Sequence, residues 1–514
     1  MKRTVLVALA VGTLHGGTAL ARVDRIEIQA REPFHTARVG PYVQIRGTFV
    51  GSLDPNEPIP HLEEAPRRAD GRVEYRSDFI LLAPESPGSG NRVLLFDVEN
   101  NGRPVVHGLY NSPLGGLTRL LEVGSGFVED QGYTVAIASW QNGHGIELPA
   151  YRGADGTSVP LLAVGFAALR DFAAFLRFEA RDGAGNPNPI AGGTDYGLAA
   201  GSSQTSRLLK SFVHHGFNRV GDRLVFDGIH LHVGQSGTMP YIAPPDADPD
   251  VIRLTLAGDQ SVYPFTFEDV LAPLAKRREK PPRILATNVA SDYYRRRQSL
   301  LRTGPGGGLE DVPLPDSVRI WDIAGASHGI IYRDDCDMPR ENLDWHPLLR
   351  AGLVQLTRWV KTGTPPPPTR LVPLEATEPL PYLNPPPSDQ QRARLLAPAL
   401  DDDGNALGGV RLPEVAVPLG TFGGFNAPLE NDCGDQSNFF HAFARTRWQR
   451  VMTSDPRPSL EERYGTADAY LEKFTAAARE VVSEGYLLED DARGLIDRAL
   501  KTRESFSAAR PSGQ

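Results

Sequence analysis

Six short, mostly apolar runs, separated by stretches with helical patterning, constrain the fold of this chain more than any other feature of its sequence. Apolar strands that alternate with helices are typical of a parallel sheet that is buried on both faces. We therefore predict an α/β fold with a mostly parallel central sheet flanked by helices. The predicted strands are Val93–Phe96, Thr134–Ala138, Tyr196–Ala200, Gly228–His232, Arg283–Thr287 and Val318–Trp321.

Residues outside these runs predict additions to the sheet. Short alternating β-like pieces between Val23 and Gly51 predict an antiparallel extension at the N-terminal side. A proline-rich stretch and a helical tail from about Pro458 to Ser507 follow the last strand. The spacing of apolar residues also predicts helices over Leu161–Phe178, Arg207–His215 and Pro347–Lys361, which end before Gly216 and Gly363 in the last two cases.

The composition gives no support to two classes of partner. The chain has 514 residues, with 54 Lys and Arg, 63 Asp and Glu, and a formal net charge of -9 at pH 7. An excess of acidic residues spread along the chain gives no electrostatic reason to bind nucleic acid or an anionic membrane surface. We therefore expect neither partner.

The first residues have the pattern of a secretory signal peptide. Lys2 and Arg3 precede an apolar run from Val5 to Leu14, and Ala19–Ala21 supplies small residues for a cleavage site. A membrane anchor is the alternative, but the run is far shorter than the ~20 residues that span a bilayer. We expect cleavage near Ala21 and a secreted or periplasmic mature protein without membrane insertion.

Export also favours a disulfide between Cys336 and Cys433, the two cysteines of the chain, because disulfides persist outside the cytoplasm. Two buried free thiols are the alternative. Zinc requires more Cys or His ligands at metal spacing than these segments contain. We therefore predict no metal site.

The sharpest chemical signal is the segment Gly201–Thr205, of sequence G-S-S-Q-T, which directly follows a predicted strand and precedes a helix. It has nearly the form of a nucleophile elbow, G-x-S-x-G, whose tight turn exposes a serine hydroxyl above the sheet. Thr205 stands where Gly is usual. The segment Gly234–Thr238, of sequence G-Q-S-G-T, competes, but prolines rather than a helical pattern follow it. Ser203 is therefore the predicted nucleophile, in preference to Ser236.

A serine nucleophile needs a base and an acid that orients the base, in the chain order Ser, acid, His for this architecture. His328 follows the last predicted strand in a G-A-S-H-G loop and is the predicted base. Asp292 follows the preceding strand and is the predicted acid, with a surface ion pair to Arg295–Arg297 as the alternative. The fallback acids are Asp322, Asp334 and Asp335, and structural roles are expected for His214, His215, His230 and His232.

Backbone N–H groups complete the predicted site. One oxyanion donor is expected from Gln204, directly after the nucleophile, and the second from the loop after the first strand, at Asn101 or Gly102. A plain turn is the alternative for that loop. Three aromatic residues near the site would suit an apolar or aromatic substrate group, with core packing as the alternative for the first: Trp140, Tyr293 and Tyr294.

Seven segments carry a likeness to known proteins: G-S-S-Q-T-S-R at Gly201–Arg207, F-D-G at Phe226–Gly228, A-S-D-Y-Y at Ala290–Tyr294, G-A-S-H-G at Gly325–Gly329, D-W-H-P-L-L-R-A at Asp344–Ala351, R-L-P-E-V-A-V-P at Arg411–Pro418 and D-P-R-P-S-L-E-E-R-Y at Asp455–Tyr464. Together they resemble a bacterial family of large α/β-hydrolase domain proteins. That family usually has G-x-S-Q-S-G-R at the elbow and Glu before Tyr-Trp in the acid loop. Thr205-Ser206, Asp292 and Tyr294 are the departures here. The resemblance implies serine hydrolase chemistry on an α/β-hydrolase fold.

The expected organisation is a signal peptide over 1–21, a catalytic domain with its β extension over 22–365, and a proline-rich and helical region packed on that domain over 366–514. The expected function is hydrolysis of small-molecule carboxylic esters by a Ser-His-Asp triad through an acyl-enzyme, without metal or organic cofactor. An amidase, peptidase or lactonase with the same triad is one alternative. A non-catalytic secreted binding protein on this fold is another. The sequence predicts no oligomeric state.

Overall fold

The structure is a computed structural model that describes residues 22–239, 266–296, 298–304, 309–329, 343–376, 396–424, 426 and 439–506. The predicted signal peptide, Cys336 and Cys433 lie outside these residues. Export and the disulfide therefore stay predictions.

A ten-stranded sheet forms the centre of the molecule. Its strands in chain order are β1 (Arg22–Ala37), β2 (Gly40–Leu53), β3 (Val73–Pro84), β4 (Val93–Asp97), β5 (Thr134–Ala138), β6 (Ile146–Glu147), β7 (Tyr196–Ser202), β8 (Gly228–His232), β9 (Arg283–Val289) and β10 (Val318–Ile323). The spatial order is β1-β2-β3-β5-β4-β7-β8-β9-β10, with β6 paired to β3. From β5 to β10 all neighbours are parallel, whereas β1, β2, β3 and β5 pair antiparallel. All six predicted strands are confirmed.

Helices cover both faces of the sheet. Those assigned in the described residues are α1 (Val106–Tyr110), α2 (Phe127–Asp130), α3 (Leu162–Phe178), α4 (Gln204–His214), α5 (Phe267–Arg277), α6 (Ala290–Arg295), α7 (His346–Thr362), α8 (Pro413–Ala416), α9 (Arg447–Met452), α10 (Leu460–Tyr464), α11 (Ala467–Ser483) and α12 (Glu489–Leu500). The three predicted helices are α3, α4 and α7. Gly216 and Gly363, at φ 85° and 77°, follow α4 and α7 in the left-handed region that favours glycine. Over these same residues, no helix has both the length and the apolarity needed to cross a bilayer.

The apolar runs are continuous because both faces of each central strand are buried. In β4, Leu94 and Phe96 belong to one core cluster, whereas Val93 and Leu95 belong to the other. All four side chains are at most 1% exposed. A strand with one solvated face would show alternating polar residues instead. The continuous apolar runs in the sequence therefore indicate that both faces of the sheet are covered.

Residues after 366 contact the last strand of the sheet and one of the cores. Asp322 N donates to Arg370 O over 2.9 Å, and Val410 N donates to Asp322 O over 2.7 Å, so two segments run along the open side of β10. Tyr470 and Phe474 of α11 lie in the same core cluster as Trp321 of β10. The predicted boundary between residues 365 and 366 stays a prediction.

The opposite edge of the sheet, β1, is irregular. Its pairing with β2 shifts register between Val23 and Arg25, between Ile28 and Ala30, and between Pro33 and His35. Arg25 and Arg76 each pair with Glu27, and Arg46 pairs with Glu32. Bulges of this kind break the alternation of apolar and polar residues, which explains why the sequence predicts only short pieces of β1.

Candidate active site

The carboxyl ends of the parallel strands meet at one edge of the sheet, where the loops after β4, β7, β8, β9 and β10 come together. This edge is the usual position for functional residues in open α/β sheets. Ser203 follows β7, Asp292 lies in α6 after β9, and His328 lies in the loop after β10.

Ser203 occupies a strained turn between β7 and α4. Its backbone has φ 55° and ψ -111°, a conformation that residues other than glycine rarely adopt. A Cβ on Gly201 would lie 2.8 Å from the carbonyl carbon of Thr205, so this position requires glycine. Ser202 N donates to Thr205 Oγ1 over 2.9 Å, and Thr205 Oγ1 donates to Ser202 O over 3.1 Å. The threonine that replaces the usual glycine therefore braces the turn.

The imidazole of His328 joins the serine to the acid. His328 Nε2 lies 3.0 Å from Ser203 Oγ, and His328 Nδ1 lies 2.7 Å from Asp292 Oδ1. His328 N donates to Ser291 Oγ over 2.8 Å, which fixes the histidine loop against α6. The structure thus brings together the three predicted residues, of which Ser203 and His328 are 125 positions apart in the chain.

Asp292 is fully buried, and its second oxygen has a partner that the sequence does not predict. Asp292 Oδ2 accepts a hydrogen bond from Gln235 Nε2 over 2.9 Å, and Arg296 Nε lies 3.7 Å from Asp292 Oδ1. Gln235 belongs to the segment that competes with the elbow in the sequence. In the structure this segment supplies a partner of the acid, and the elbow lies at Ser203.

The loop after β4 folds next to the nucleophile. Asn101 and Gly102 have φ 50° and 68°, and Asn100 and Arg103 exchange backbone hydrogen bonds of 2.8 and 3.1 Å across them. Asn-Gly favours such a turn because both of its central residues have positive φ. Asn100 Nδ2 donates to Ser202 O over 3.0 Å, which ties the loop to the residue before Ser203.

Gln204 is the first residue of α4, so its backbone N–H has no partner within the helix. The Gln204 side chain is 3% exposed, and within the described residues its amide atoms make no hydrogen bond. The backbone N–H of Gln204 lies directly after Ser203 at the start of α4, where the sequence predicts an oxyanion donor.

The predicted pocket residues are less accessible than the sequence suggests. Trp140 is 5% exposed, packs edge-on against Phe166 and donates from Nε1 to Glu99 O over 2.8 Å. Trp140 thus packs in the core and holds the loop that follows β4, as in the alternative that the sequence leaves open for it.

The two tyrosines of α6 point in different directions. Tyr293 is 1% exposed and donates from its hydroxyl to Asp322 Oδ2 over 2.6 Å, so it has no surface to offer to a substrate. This position corrects its assignment as a substrate-binding residue. Tyr294 is partly buried and lies against Gly424, where an added Cβ would be 2.7 Å from the ring. Burial raises the pKa of Tyr294 to about 12.

A family model described as "Alpha/beta hydrolase domain" matches residues 144–497. The chain belongs to this alpha/beta hydrolase family. The matched segment contains Ser203, Asp292 and His328, whereas β1 to β5 precede it. Membership supports a hydrolase activity and agrees with the resemblance drawn from the motifs. No curated protein shows significant sequence similarity to the chain.

Solved structures similar to this member of the alpha/beta hydrolase family include esterases. A carboxyl esterase of the mycorrhizal fungus Tuber melanosporum is 13% identical, with a TM-score of 0.23, over 48% of this chain and 66% of that chain. A rice cell wall degrading esterase of Xanthomonas oryzae is 10% identical, with a TM-score of 0.24, over 42% of this chain and 51% of that chain. Both matches span less than two thirds of the esterase. Similarity at this level carries no statement about the activity or substrate of this chain.

Two strand histidines near the site are structural, as predicted. Thr287 Oγ1 lies 3.3 Å from His230 Nε2 and 3.0 Å from His232 Nδ1. Burial lowers the pKa of His230 to about 3, and burial with neighbouring histidines lowers the pKa of His232 well below its usual range. Both imidazoles are therefore neutral at physiological pH.

Two buried carboxyl groups support the loop after β4. Burial raises the pKa of Glu99 from 4.5 to about 7, with the nearby charge of Asp97 adding to the shift. Burial likewise raises the pKa of Asp97 to about 6, against hydrogen bonds from the N–H groups of Val105 and Val106. Glu99 is 9% exposed, and its backbone carbonyl receives the Trp140 indole.

Glu99→Gln should therefore stabilise the protein in a pH-dependent way. The pKa of Glu99 is raised in the folded state, so folded protein binds more protons than unfolded protein between pH 4.5 and about 7, and the wild type loses stability as pH rises through this window. The free energy of unfolding of the variant should exceed that of wild type by an amount that grows across this window to ~3 kcal/mol. Above about pH 7 the difference should stay constant. Thermal midpoints of both proteins across this range measure the difference, with exposed Glu85→Gln as control. A difference that is independent of pH would contradict the expectation.

Proposed function

We propose that this chain is an exported serine hydrolase that cleaves carboxylic esters with Ser203, His328 and Asp292 as its catalytic triad. The observation that carries the proposal is the hydrogen-bond chain from Ser203 Oγ to His328 Nε2, at 3.0 Å, and from His328 Nδ1 to Asp292 Oδ1, at 2.7 Å. These distances are within the reach that general-base catalysis requires. The strained backbone of Ser203 supports the same reading, since strain of this kind clusters at functional sites.

The first half of the proposed reaction transfers the acyl group to the enzyme. Ser203 Oγ attacks the acyl carbon as its proton moves to His328 Nε2, and Asp292 holds the Nδ1–H of the imidazolium. The tetrahedral intermediate then collapses, the bond to the alcohol oxygen breaks, and His328 returns the proton to that oxygen. The products are an acyl-enzyme ester at Ser203 and a free alcohol.

The second half uses water. His328 accepts a proton from a water molecule as the water oxygen attacks the acyl-enzyme, and the proton passes to Ser203 Oγ when the acyl bond breaks. The carboxylic acid leaves and the free serine returns. This chemistry requires no metal or organic cofactor.

The oxyanion of both intermediates requires donors on one side of the acyl carbon. We assign the N–H of Gln204 and an N–H at Asn101 or Gly102 to this role. The assignment is supported by the position of Gln204 at the N-terminus of α4 and by the bond from Asn100 Nδ2 to Ser202 O. Donors fixed in advance stabilise the transition state without reorganisation when the charge develops.

An ester should be preferred over a matched amide by ~10²- to 10⁴-fold in kcat/KM. An alkoxide or phenoxide leaves with little help, whereas an amine must be protonated by His328 as it departs. A p-nitrophenyl ester and a p-nitroanilide with the same acyl chain measure the ratio, each assayed on wild type and on Ser203→Ala. Comparable kcat/KM values that both depend on Ser203 would identify an amidase or peptidase instead.

Two further measurements separate the remaining alternatives. Covalent labelling of wild type by a fluorophosphonate probe, absent in Ser203→Ala, distinguishes an enzyme from a binding protein on a hydrolase fold. A panel of lactones beside the esters distinguishes a lactonase.

Export is tested by locating the protein and sequencing its mature N-terminus, which should lie near Ala21.

A further inference from the structure

Gln235 lies directly behind the carboxylate of Asp292. Its Nε2 donates to Asp292 Oδ2 over 2.9 Å and lies 3.5 Å from His328 Nδ1. Gln235 is 2% exposed and Asp292 is 0% exposed, so this hydrogen bond is shielded from water. Asp292 Oδ1 faces the imidazole at 2.7 Å. The amide and the imidazole thus hold one carboxylate oxygen each.

A buried cation fixes the other end of the Gln235 amide. Arg207 Nη1 donates to Gln235 Oε1 over 2.8 Å, and Arg207 is 3% exposed. Rotating the amide by half a turn would set its oxygen against the Asp292 carboxylate and its NH2 group against the guanidinium. Arg207 and Asp292 together therefore allow one orientation, in which the glutamine donates to the acid.

The backbone of Gln235 is held by the same helix that follows the nucleophile. Lys210 of α4, which is 1% exposed, donates from Nζ to the Gln235 carbonyl. A Cβ on Gly234 would lie 2.8 Å from Ser206 Cβ, so this loop packs tightly on α4. Gln235 itself has φ 44° in the left-handed region, a strained conformation that these contacts maintain. Helix α4 thus fixes the nucleophile at its start and the partner of the acid on its side.

We propose that Gln235 is a positioning residue of the triad, an inference that rests on the proposed function. By occupying Asp292 Oδ2 it holds the carboxylate in the rotation that presents Oδ1 to His328 Nδ1. It has no accessible surface with which to contact substrate, and it acts on the reaction through Asp292. Losing it should lower the turnover rate and leave substrate binding unchanged.

The first test removes the amide with Gln235→Met, which keeps the length and apolar volume of the side chain. We expect kcat for a p-nitrophenyl ester to fall ~10- to 100-fold while KM stays within about twofold, because a misplaced acid affects the reacting geometry alone. Ser236→Ala, in the same loop, should retain the wild-type kcat. Ser203→Ala is measured in parallel to establish that turnover belongs to the proposed site.

A double-mutant cycle separates positioning from a general structural role. If Gln235 acts through Asp292, substituting it should cause no further loss of kcat once that acid has been replaced. Gln235→Met in an Asp292→Asn background should therefore be at least as active as Asp292→Asn alone. A double variant whose fold loss of kcat equals the product of the losses in the two single variants would overturn the proposal, because it would show that Gln235 acts independently of the acid.

Gln235→Glu covers the case in which Gln235→Met does not fold, since the introduced carboxyl keeps an acceptor for the buried Arg207. When protonated, the new group can donate to Asp292 Oδ2. When ionised it cannot donate, and it repels Asp292. The kcat of this variant relative to wild type should fall as pH rises, whereas the ratio for Ser236→Ala should stay constant.

The outcomes distinguish this inference from the function on which it rests. Loss of turnover in Ser203→Ala together with wild-type kcat in Gln235→Met, or a pH-independent ratio for Gln235→Glu, would overturn the positioning role alone. Equal turnover in wild type and Ser203→Ala, or no ester hydrolysis by wild type, would overturn both proposals.

Discussion

Ser203→Ala is expected to lower kcat for ester hydrolysis by ~10⁴- to 10⁶-fold and to abolish labelling by a fluorophosphonate probe. The substitution removes one oxygen atom, and no other group in the described site can form the acyl-enzyme at that position. The fold should persist, because the turn at Ser203 is held by Thr205 and Gly201 rather than by the Ser203 hydroxyl. Progress curves and the thermal midpoint of each protein test both statements.

The matched control for this experiment is Ser236→Ala. Ser236 is the rival nucleophile in the sequence and lies one residue after Gln235. Wild-type turnover in Ser203→Ala, or loss of labelling in Ser236→Ala alone, would show that the elbow is assigned to the wrong serine.

Asp292→Asn should lower kcat by ~10⁴-fold, because it selects the wrong tautomer of the base. Gln235 Nε2 donates toward this side chain, so the new amide turns its oxygen to Gln235 and its NH2 group to His328 Nδ1. Nδ1 must then accept, which moves the imidazole proton to Nε2. A protonated Nε2 cannot take the proton of Ser203.

Asp322→Asn is the control for Asp292→Asn, because Asp322 is a fallback acid in the sequence. Asp322 Oδ2 accepts from Tyr293, from Arg302 Nη1 over 2.9 Å and from the backbone of Val372 over 3.1 Å. We expect this variant to lose thermal stability and to keep most of its kcat. The assignment of the acid fails if Asp322→Asn loses turnover and Asp292→Asn does not.

The central sheet can be predicted from the sequence because its strands are buried on both faces and short. Each of the six runs is therefore mostly apolar, although His230 and His232 alternate with apolar residues in β8. Chain order places β7 to β10 side by side, but it does not predict that β4 lies between β5 and β7. The elbow and His328 follow from the same logic, since the elbow comes directly after one such strand and His328 lies in the loop after another. The long strand β1 is harder to predict, because bulges interrupt its alternation of apolar and polar residues.

Contacts between distant segments are not predictable in this way. Gln235 and Asp292 are 57 positions apart, and nothing in the sequence near Gln235 indicates a partner of the acid. Adjacent positions in α6 do not share one site either, because neighbouring residues of a helix face different directions. Asp292 therefore meets His328 while Tyr293 meets Asp322.

The two rims of the central sheet are closed to other chains by different means. At β10, segments around Arg370 and Val410 occupy the backbone groups that another strand would need. At β1, three register shifts, Pro33 and the pairs involving Glu27 and Glu32 make the rim uneven and charged. An exposed flat strand of 16 residues would be a template for aggregation. Variants that straighten β1 with apolar residues should therefore polymerise by strand addition. The irregular edge thus opposes aggregation at high protein concentration.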